Sequence, residues 1–289
     1  MTVTITRTAV QVWSEGSRLA AELIRPDGDA DRLPALLLCH GWGGLKEHLV
    51  ELYATSFAAA GYVCLAFDYR GWGGSDGRMV PAADSPLLRQ AGRQVVDVDV
   101  VREVIDPVDQ LADVRACFAY LVAETGVDPD RVGAFGTSYG AGHVLSLAAT
   151  EPRVKAVTAQ IGGYGHPREQ WFTDLARTRM SQKARGELHP SIPQGIDGAP
   201  GLKGTPDVAR QYGHAPLELA RSVRVPTLFL DAEHEQYNEP ALQGGAAHEV
   251  VRQRAESERH TFPCTHYEVY DQHLEAARGL ALTWFDRHL

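Results

Sequence analysis

Short apolar runs alternate along this chain with longer segments in which apolar residues recur every three or four positions. Such runs are typical of buried strands, and the three-and-four spacing is typical of the helices that cover them. The strand-like runs lie at residues 10–13, 18–26, 35–39, 62–68, 132–135, 154–161, 225–231 and 260–264, and the helix-like segments at 49–60, 107–124, 139–150, 241–258 and the C-terminus. This alternation predicts an α/β fold with a mostly parallel sheet of eight strands and helices on both faces.

The alternation is interrupted between Gly162 and Ser222. This region contains polar helical pieces and a Gly/Pro-rich stretch at 189–204 that is too long for an ordinary connection. We therefore predict a core formed by residues 1–162 and 223–289. The intervening residues 163–222 are predicted to form a small helical cap, or lid, inserted after the sixth strand.

Composition and charge exclude several classes of protein. No apolar run approaches the ~20 residues that span a bilayer, and the N-terminus lacks the cationic and apolar blocks of a secretory signal. We therefore expect no membrane association and a cytoplasmic location. The net charge of −9 at pH 7, without a cluster of Lys and Arg, argues against a nucleic-acid partner. Cys39, Cys64, Cys117 and Cys264 lack Cys-x-x-Cys spacing and are expected to be reduced core residues.

Common metal and nucleotide motifs are missing from the sequence. The 12 histidines form no His-Glu-x-x-His pattern, and the Gly-rich segment 71–75 lacks the lysine of a phosphate-binding loop. The acidic segment VVDVDVVREVIDPVD at 95–109 lacks the glycine and final glutamate of a calcium loop, and we interpret it as the solvated face of a helix. We therefore predict neither a metal nor a cofactor.

A candidate nucleophile lies between a predicted strand and a predicted helix. Gly136-Thr137-Ser138-Tyr139-Gly140 matches Gly-x-Ser-x-Gly, the sharp turn that holds a serine hydroxyl clear of a sheet. Glycines flank the serine where a side chain would obstruct a strained backbone. The helix that begins at Tyr139 directs its free N–H groups toward the group that Ser138 would attack.

Three turns of this chain together resemble those of the α/β-hydrolase superfamily. The resemblance extends over nearly the whole chain. HGWGG at 40–44 is similar to its His-Gly oxyanion-hole turn, and DYRGWGGS at 68–75 to its Asp-x-Arg-Gly-x-Gly-x-Ser turn. The segments VIDPVDQLADVRA, GTSYGAGHVL, LDAEHEQ and HYEVYDQHLEAA resemble the dienelactone-hydrolase-like branch, which is often found beside polyketide pathways. Dienelactone hydrolases use a cysteine nucleophile, whereas this chain has Ser138.

The resemblance implies a catalytic triad in the chain order serine, acid, histidine. Ser138 would be the nucleophile. His266 would be the base, because it follows the last strand in the loop where the superfamily places its histidine. His260 and His273 are the alternatives. His40 is expected to shape the turn beneath the oxyanion hole rather than to titrate.

The acid is expected after the seventh strand, where the superfamily has Gly-x-x-Asp. Ala232-Glu233-His234-Glu235 occupies this position, so the resemblance places the carboxylate at Glu235. Glutamate is an accepted triad acid. Asp231, at the end of the strand itself, and Glu233 are the alternatives.

The negative charge that develops during acyl transfer requires two backbone N–H donors. Tyr139 would supply one because it follows the nucleophile. The resemblance assigns the other to Trp42, with Gly43 as the alternative. Trp171 and Phe172 in the predicted cap are the best candidates for lining the substrate pocket.

The function expected from these features is that of a serine hydrolase. It would cleave a neutral, moderately apolar carboxylic ester or lactone (EC 3.1.1 type), and the resemblance suggests an intermediate of secondary metabolism. The alternatives are C–C bond hydrolysis or acyl transfer or cyclisation with the same triad, and a non-catalytic, ligand-binding member of the fold. The expected partner is the small-molecule substrate, and a homodimer is left open.

Overall fold

An eight-stranded sheet organises the chain, of which this computed structural model describes residues 4–28, 32–86, 88–166, 169–188 and 202–289. The strands are β1 (Ile5–Ser14), β2 (Ser17–Pro26), β3 (Leu33–Cys39), β4 (Val63–Phe67), β5 (Val127–Thr137), β6 (Val154–Gln160), β7 (Thr227–His234) and β8 (Ser257–Thr265). Their spatial order is β1-β2-β4-β3-β5-β6-β7-β8. β2 pairs antiparallel with β1 and β4, and the other neighbours are parallel. The predicted α/β fold is confirmed.

Helices cover both faces of the sheet. They are α1 (Lys46–Leu49), α2 (Thr55–Ala59), α3 (Pro107–Val122), α4 (Tyr139–Thr150), α5 (Gln170–Ala184), α6 (Val208–Gln211), α7 (Pro216–Leu219), α8 (Gly244–Val251) and α9 (Leu274–His288). A π-helical segment, Val50–Ala54, joins α1 to α2, and 3-10 turns form at Ala220–Ser222, Pro240–Leu242 and Tyr267–Tyr270. Among the described residues, no helix is both long and apolar enough to cross a bilayer.

The central strand β3 shows why the strands read as continuous apolar runs. Ala35 and Leu37 are buried in a core shared with α3, α4 and α8. Leu36 and Leu38 are buried in a second core shared with α1, α2 and α9. Because successive side chains of a strand point to opposite faces, a strand covered on both sides must be apolar at every position.

The interpretation of residues 95–109 as a helix face is wrong. Val98–Val101 is a strand that pairs antiparallel with Arg78–Pro81, and Val104–Ile105 pairs in parallel with Thr205–Pro206. The strict alternation of valine with aspartate is a period-two pattern, and β-branched valine favours extended backbone. The helix α3 begins only at Pro107, where the side chain of Asp106 accepts hydrogen bonds from the free backbone N–H groups of the first turn.

The helix predicted at 241–258 is also shorter than expected. It consists of the 3-10 turn at 240–242 followed by α8, which ends at Val251. Strand β8 begins at Ser257, opposite Thr227 of β7. Since β7 and β8 are parallel neighbours, the chain must turn after α8 to enter the sheet again, and residues 252–256 make this turn.

Helices α5, α6 and α7 lie between β6 and β7. Phe172 and Ala176 of α5 pack against Val208 of α6 and form a small apolar cluster separate from the two cores of the sheet. Most of the Gly/Pro-rich stretch, residues 189–201, lies outside the described residues. The limits of the cap at 163 and 222 stay a prediction.

A buried ion pair joins the turn after β4 to α3 and β1. Asp113 is fully buried and accepts hydrogen bonds from the backbone N–H of Arg70 at 2.8 Å and from its Nε and Nη2 at 2.9 and 2.7 Å. The same Nη2 donates to Ser14 Oγ at 2.9 Å. Burial alone would favour neutral Asp113 and raises its pKa, but the guanidinium opposes this effect.

We expect Asp113→Ala to lower the free energy of unfolding by about 3 kcal/mol, because it removes the closest carboxylate partner of a buried guanidinium. Urea denaturation followed by circular dichroism measures this change. Glu249→Ala is the matched control, since it removes an exposed ion pair with Arg252 and should leave the transition midpoint nearly unchanged. Equal midpoints for the two variants would contradict the role assigned to the Arg70–Asp113 pair.

Candidate active site

The candidate nucleophile Ser138 lies in a strained turn between β5 and α4. Its φ of 53° is in the left-handed region, which a residue with a side chain seldom adopts. A Cβ atom at Gly136 would overlap the carbonyl oxygen of Gly140, and one at Gly140 would overlap that of Cys39. Both glycines of the motif are thus required by the close approach of three backbone segments. The N–H of Ser138 donates to the carbonyl of Gln160 at 2.8 Å and holds the turn against β6.

The structure brings the three predicted triad residues into one hydrogen-bonded chain. His266 Nε2 lies 3.1 Å from Ser138 Oγ, and His266 Nδ1 lies 2.7 Å from Glu235 Oε2. The side chains of His266 and Glu235 are each 4% exposed. This arrangement allows His266 to take the serine proton while Glu235 holds the imidazole in the required tautomer.

Glu235 stays ionised although it is largely buried. Burial tends to raise its pKa, but the hydrogen bond from His266 and two backbone N–H groups outweigh this effect and lower the pKa below its usual value. The backbone donors are Gln236 and Tyr237, which lie 2.9 and 2.7 Å from Oε1. Oε1 therefore accepts from the backbone and Oε2 from the imidazole, and these separate partners hold Oε2 toward His266.

The alternative acids occupy other positions. Asp231 is buried, and its Oδ2 accepts a hydrogen bond from Arg259 Nε at 2.6 Å. Burial raises the pKa of Asp231, and the ion pair with Arg259 and the N–H of Gly244 at the start of α8 counteract this shift. Glu233 is exposed. The structure therefore brings Glu235, and neither alternative, to the imidazole.

The alternative bases are also placed away from the serine. His260 is exposed inside β8, three residues after its start, and its ring contacts Phe262 with the centroids 4.6 Å apart. His273 packs on the same phenylalanine at 5.2 Å, immediately before α9. The two histidines thus serve packing at the end of the sheet.

The predicted oxyanion donors lie beside the nucleophile. Tyr139 is the first residue of α4, where a backbone N–H has no acceptor within the helix. Trp42 lies in the turn after β3, and its ring meets that of Tyr139 edge to face at 5.5 Å. Both residues line the same cavity as Ser138. The alternative donor Gly43 lies under the cap, because a Cβ atom there would be 2.6 Å from the carbonyl oxygen of Lys203.

The structure contains a buried polar network behind Ser138 that the sequence did not predict. Gln160 Nε2 donates to Tyr53 Oη at 2.7 Å and to Thr137 Oγ1 at 3.1 Å. Thr137 Oγ1 also lies 2.7 Å from Tyr270 Oη, in the helical turn that follows His266. The network ties the serine turn to the histidine loop. Only the position of Thr137 inside the Gly-x-Ser-x-Gly motif hinted at it, since the other members are far apart in the sequence.

A cavity of about 770 Å³ opens over the triad. Ser138 and His266 lie on its wall, and Trp171, Phe172 and Leu175 of α5 line the cap side. Phe172 is 8% exposed and also belongs to the apolar cluster of the cap, whereas Trp171 is 58% exposed. Both predicted pocket residues therefore contact the cavity, which is large enough for a substrate of drug-like size.

Three histidines surround the ring of Tyr139, of which His143 and His214 are buried and His166 is partly buried. The centroids of His143, His214 and His166 lie 5.0, 5.7 and 6.4 Å from it. Burial lowers the pKa of His214 to about 3 and that of His166 to about 4, and it lowers the pKa of His143 well below its usual value. His40 has a pKa of about 4 for the same reason and donates its Nδ1–H to the carbonyl of Gly41, in agreement with a structural role. In the described chain, no group of three or more His, Cys, Asp or Glu is arranged to hold a metal ion.

Comparison with known proteins identifies relatives over the whole chain and over parts of it. A family model described as X-Pro dipeptidyl-peptidase (S15 family) matches residues 15–180, which include the serine turn. An uncharacterized 31.7 kDa protein of the traX-finO intergenic region of Escherichia coli is 26% identical over 305 aligned positions, covering 96% of this chain and 97% of that protein. The quorum-quenching protein AidA of Acinetobacter baumannii is 34% identical over 151 residues, 52% of this chain and 42% of that protein.

Solved structures share the fold at low sequence identity. Est1E from Butyrivibrio proteoclasticus, in a complex with ferulic acid, superposes with a TM-score of 0.66 at 20% identity. The match covers 96% of this chain and 100% of that chain. At this identity the similarity establishes the common architecture.

We expect Glu235→Gln to lower kcat by a factor of 100 to 10,000, roughly the range found when a triad acid is neutralised. The amide keeps the shape of the side chain but cannot stabilise an imidazolium. Steady-state hydrolysis of p-nitrophenyl esters measures the effect, and an unchanged thermal midpoint shows that the variant is folded. Asp231→Asn is the control. If Glu235→Gln keeps near-normal activity while Asp231→Asn is inactive, the triad acid is Asp231 and not Glu235.

The buried histidines predict a loss of stability in mild acid. In the unfolded chain a histidine binds a proton below about pH 6.5, whereas His214 in the folded chain binds one only near pH 3. Between these values the unfolded state binds more protons, so the free energy of unfolding falls as the pH falls, by roughly 1.4 kcal/mol per pH unit for each such histidine.

Urea denaturation at pH 7, 6 and 5 tests this slope. His214→Phe keeps a buried ring without a titrating group and should have a shallower pH dependence than the unsubstituted protein. His260→Gln, at an exposed position, should keep the original slope. Parallel curves for His214→Phe and the unsubstituted protein would show that His214 is not held neutral by the fold.

Proposed function

The chain belongs to the S15 family, described as X-Pro dipeptidyl-peptidase, within the α/β-hydrolase superfamily, and we propose that it is a serine hydrolase acting on a carboxylic ester or lactone. The observation that carries the proposal is the hydrogen-bonded chain from Ser138 through His266 to Glu235 at the wall of a large cavity. A serine hydroxyl needs such a base and such an acid to act as a nucleophile at neutral pH.

The mechanism follows from the positions of these groups. Ser138 Oγ attacks the carbonyl carbon of the substrate and gives its proton to His266 Nε2. The backbone N–H groups of Trp42 and Tyr139 stabilise the negative charge on the carbonyl oxygen. His266 then returns the proton to the leaving alcohol oxygen, and an acyl-enzyme remains. Water, activated by His266, attacks the acyl-enzyme and releases the carboxylic acid.

The lining of the cavity supports a neutral and largely apolar substrate. Trp171, Phe172 and Leu175 offer aromatic and aliphatic surface on the cap side, and the net charge of −9 disfavours anions. The ferulic acid in the Est1E complex is a carboxylic acid with an aromatic ring. An acyl group of this size would fit a cavity of about 770 Å³.

The branch of the superfamily and the natural substrate are also proposals. We place the chain in the dienelactone-hydrolase-like branch and its substrate among the intermediates of secondary metabolism, on the motifs of the sequence. A cytoplasmic location and the absence of nucleic-acid and membrane partners stay predictions, and a homodimer stays an open alternative.

A second candidate is hydrolysis of an amide bond by the same triad. The description of the matching family, X-Pro dipeptidyl-peptidase, is the observation that favours it. Acyl transfer to an amine or alcohol, and hydrolysis of a C–C bond, would use the same acyl-enzyme chemistry and differ in the bond or the acceptor.

Covalent labelling tests whether the chain is a serine hydrolase. We expect a fluorophosphonate probe to label the protein at Ser138, because a serine activated by His266 attacks its phosphorus atom. Intact mass spectrometry should show one adduct in the unsubstituted protein and none in Ser138→Ala. Ser146→Ala is the control, since Ser146 is a buried serine of α4 whose hydroxyl donates to the carbonyl of Gly142. Labelling that survives Ser138→Ala would sink the proposal.

A substrate panel then separates the candidate reactions. Short-chain p-nitrophenyl esters and a set of lactones test the first proposal, and Xaa-Pro p-nitroanilides test the second. Each assay is repeated with an added amine or alcohol, because formation of a new amide or ester at the expense of the acid identifies acyl transfer. Ser138-dependent release of nitroaniline without hydrolysis of any ester or lactone would favour the peptidase.

A further inference from the structure

Two tyrosines cover the candidate catalytic histidine. The ring of Tyr237 lies 5.0 Å from that of His266 and the ring of Tyr267 lies 5.3 Å from it, both at 75°. The two tyrosine rings also meet edge to face at 5.8 Å. Tyr267 follows His266 directly, and Tyr237 follows the candidate acid Glu235 by two residues. Both rings therefore pack against the imidazole of His266.

These tyrosines are unusually exposed for rings packed so closely. Tyr237 is 38% exposed and Tyr267 is 50% exposed, and both line the cavity over Ser138. Tyr270, the third ring near His266, is partly buried, also lines the cavity and is hydrogen-bonded to Thr137. Aromatic surface left open beside a reacting group offers contact area for a ligand at a small entropic cost.

The reaction defines which part of the substrate meets this surface. His266 Nε2 must return its proton to the oxygen of the departing alcohol, so the atoms bonded to that oxygen lie beside the imidazole. The oxyanion donors Trp42 and Tyr139 face the carbonyl oxygen instead. The open faces of Tyr237 and Tyr267 are therefore on the side of the leaving group.

Charge narrows the class of leaving group. The acidic Glu239 lines the cavity two residues after Tyr237, and the lysine of the described lining, Lys203, forms an ion pair with Glu103. Glu235 behind the imidazole is also ionised, because hydrogen bonds lower its pKa. An anionic leaving group would be repelled here.

We propose that Tyr237 and Tyr267 form a subsite that selects esters of neutral aromatic alcohols. This assignment rests on the proposed function and names the leaving-group class for the same site. Aromatic pairs gain edge-to-face or offset-stacked contacts beyond the burial of their area, an effect equivalent to about 2- to 13-fold in rate or affinity.

A pair of esters with the same acyl group tests the subsite. Benzyl butanoate and cyclohexylmethyl butanoate have leaving groups of similar size and basicity, and only the first is aromatic. The measured quantity is the ratio of their kcat/KM values, because kcat/KM reports the acylation step in which the alcohol departs. We expect the protein to prefer the benzyl ester about 5- to 10-fold.

Substitutions assign that preference to the two rings. Tyr237→Leu and Tyr267→Leu should each lower the ratio at least twofold, and the double variant should bring it near one. Tyr237→Phe keeps the ring and should keep the preference. Tyr212→Leu is the matched control, because Tyr212 is 42% exposed but is not among the residues that line the cavity. Fluorophosphonate labelling of every variant shows that its site is folded.

Three results would overturn the subsite. The first is an equal loss of kcat/KM for both esters in the leucine variants, which would mean that the tyrosines only shield the triad from water. The second is an unchanged ratio in the double variant. The third is a preference for butyrylcholine over its neutral analogue 3,3-dimethylbutyl butanoate that depends on the tyrosines and is larger than the preference for the benzyl ester. Such a result would mean that the two rings bind a cationic leaving group. Absence of Ser138-dependent hydrolysis of every ester would overturn the proposed function as well.

Discussion

The left-handed backbone of Ser138 is the constraint on which the arrangement of the site depends. A turn with a φ of 53° at a residue with a side chain persists only if its surroundings hold it. Here β5 supplies the preceding strand, α4 the following helix, and the carbonyl of Gln160 in β6 a fixed acceptor for the serine N–H. The two glycines of the motif let these backbones approach within contact distance. The hydroxyl of Ser138 consequently lies beyond the carboxyl ends of the strands, where the loops after β3, β7 and β8 can reach it.

The neighbouring turns are held by buried carboxylates rather than by apolar packing. Asp68, at the end of β4, is fully buried and accepts hydrogen bonds from the backbone N–H of Lys46 at 2.9 Å, from Lys46 Nζ at 3.0 Å and from the N–H of Gly74 at 3.0 Å. One side chain thus fixes the start of α1, just after the oxyanion turn, and the Gly-rich turn at 68–75. The Arg70–Asp113 pair anchors the same turn to α3. Glycine-rich loops have little side-chain packing of their own, and such polar anchors order these turns, one of which contains the candidate oxyanion donor Trp42.

The electrostatics of the triad depend on the partners of Glu235. A carboxylate at a site so shielded from water would favour its neutral form, but the imidazole and two backbone N–H groups keep it charged. Asp231 is only four residues away, and its charge is matched by Arg259 and the start of α8. The two acids therefore have separate partners: Glu235 hydrogen-bonds to His266, and Asp231, inside β7, links that strand to Arg259 of β8 and to the start of α8.

The sequence by itself determined the fold class and the location of the candidate nucleophile Ser138, because both depend on local patterns. Apolar runs of strand length and a glycine-flanked serine between a strand and a helix carry their meaning within about ten residues. The sequence-based prediction of a helix face at 95–109 is wrong, because the alternation of valine with aspartate there has the period of a strand.

Only the tertiary structure decided which acid meets His266, which rings cover it and how the Thr137–Gln160 network joins the two loops. These contacts join residues as many as 133 positions apart. Local sequence patterns do not specify the directions of such side chains, and the order of the strands in the sheet brings them together.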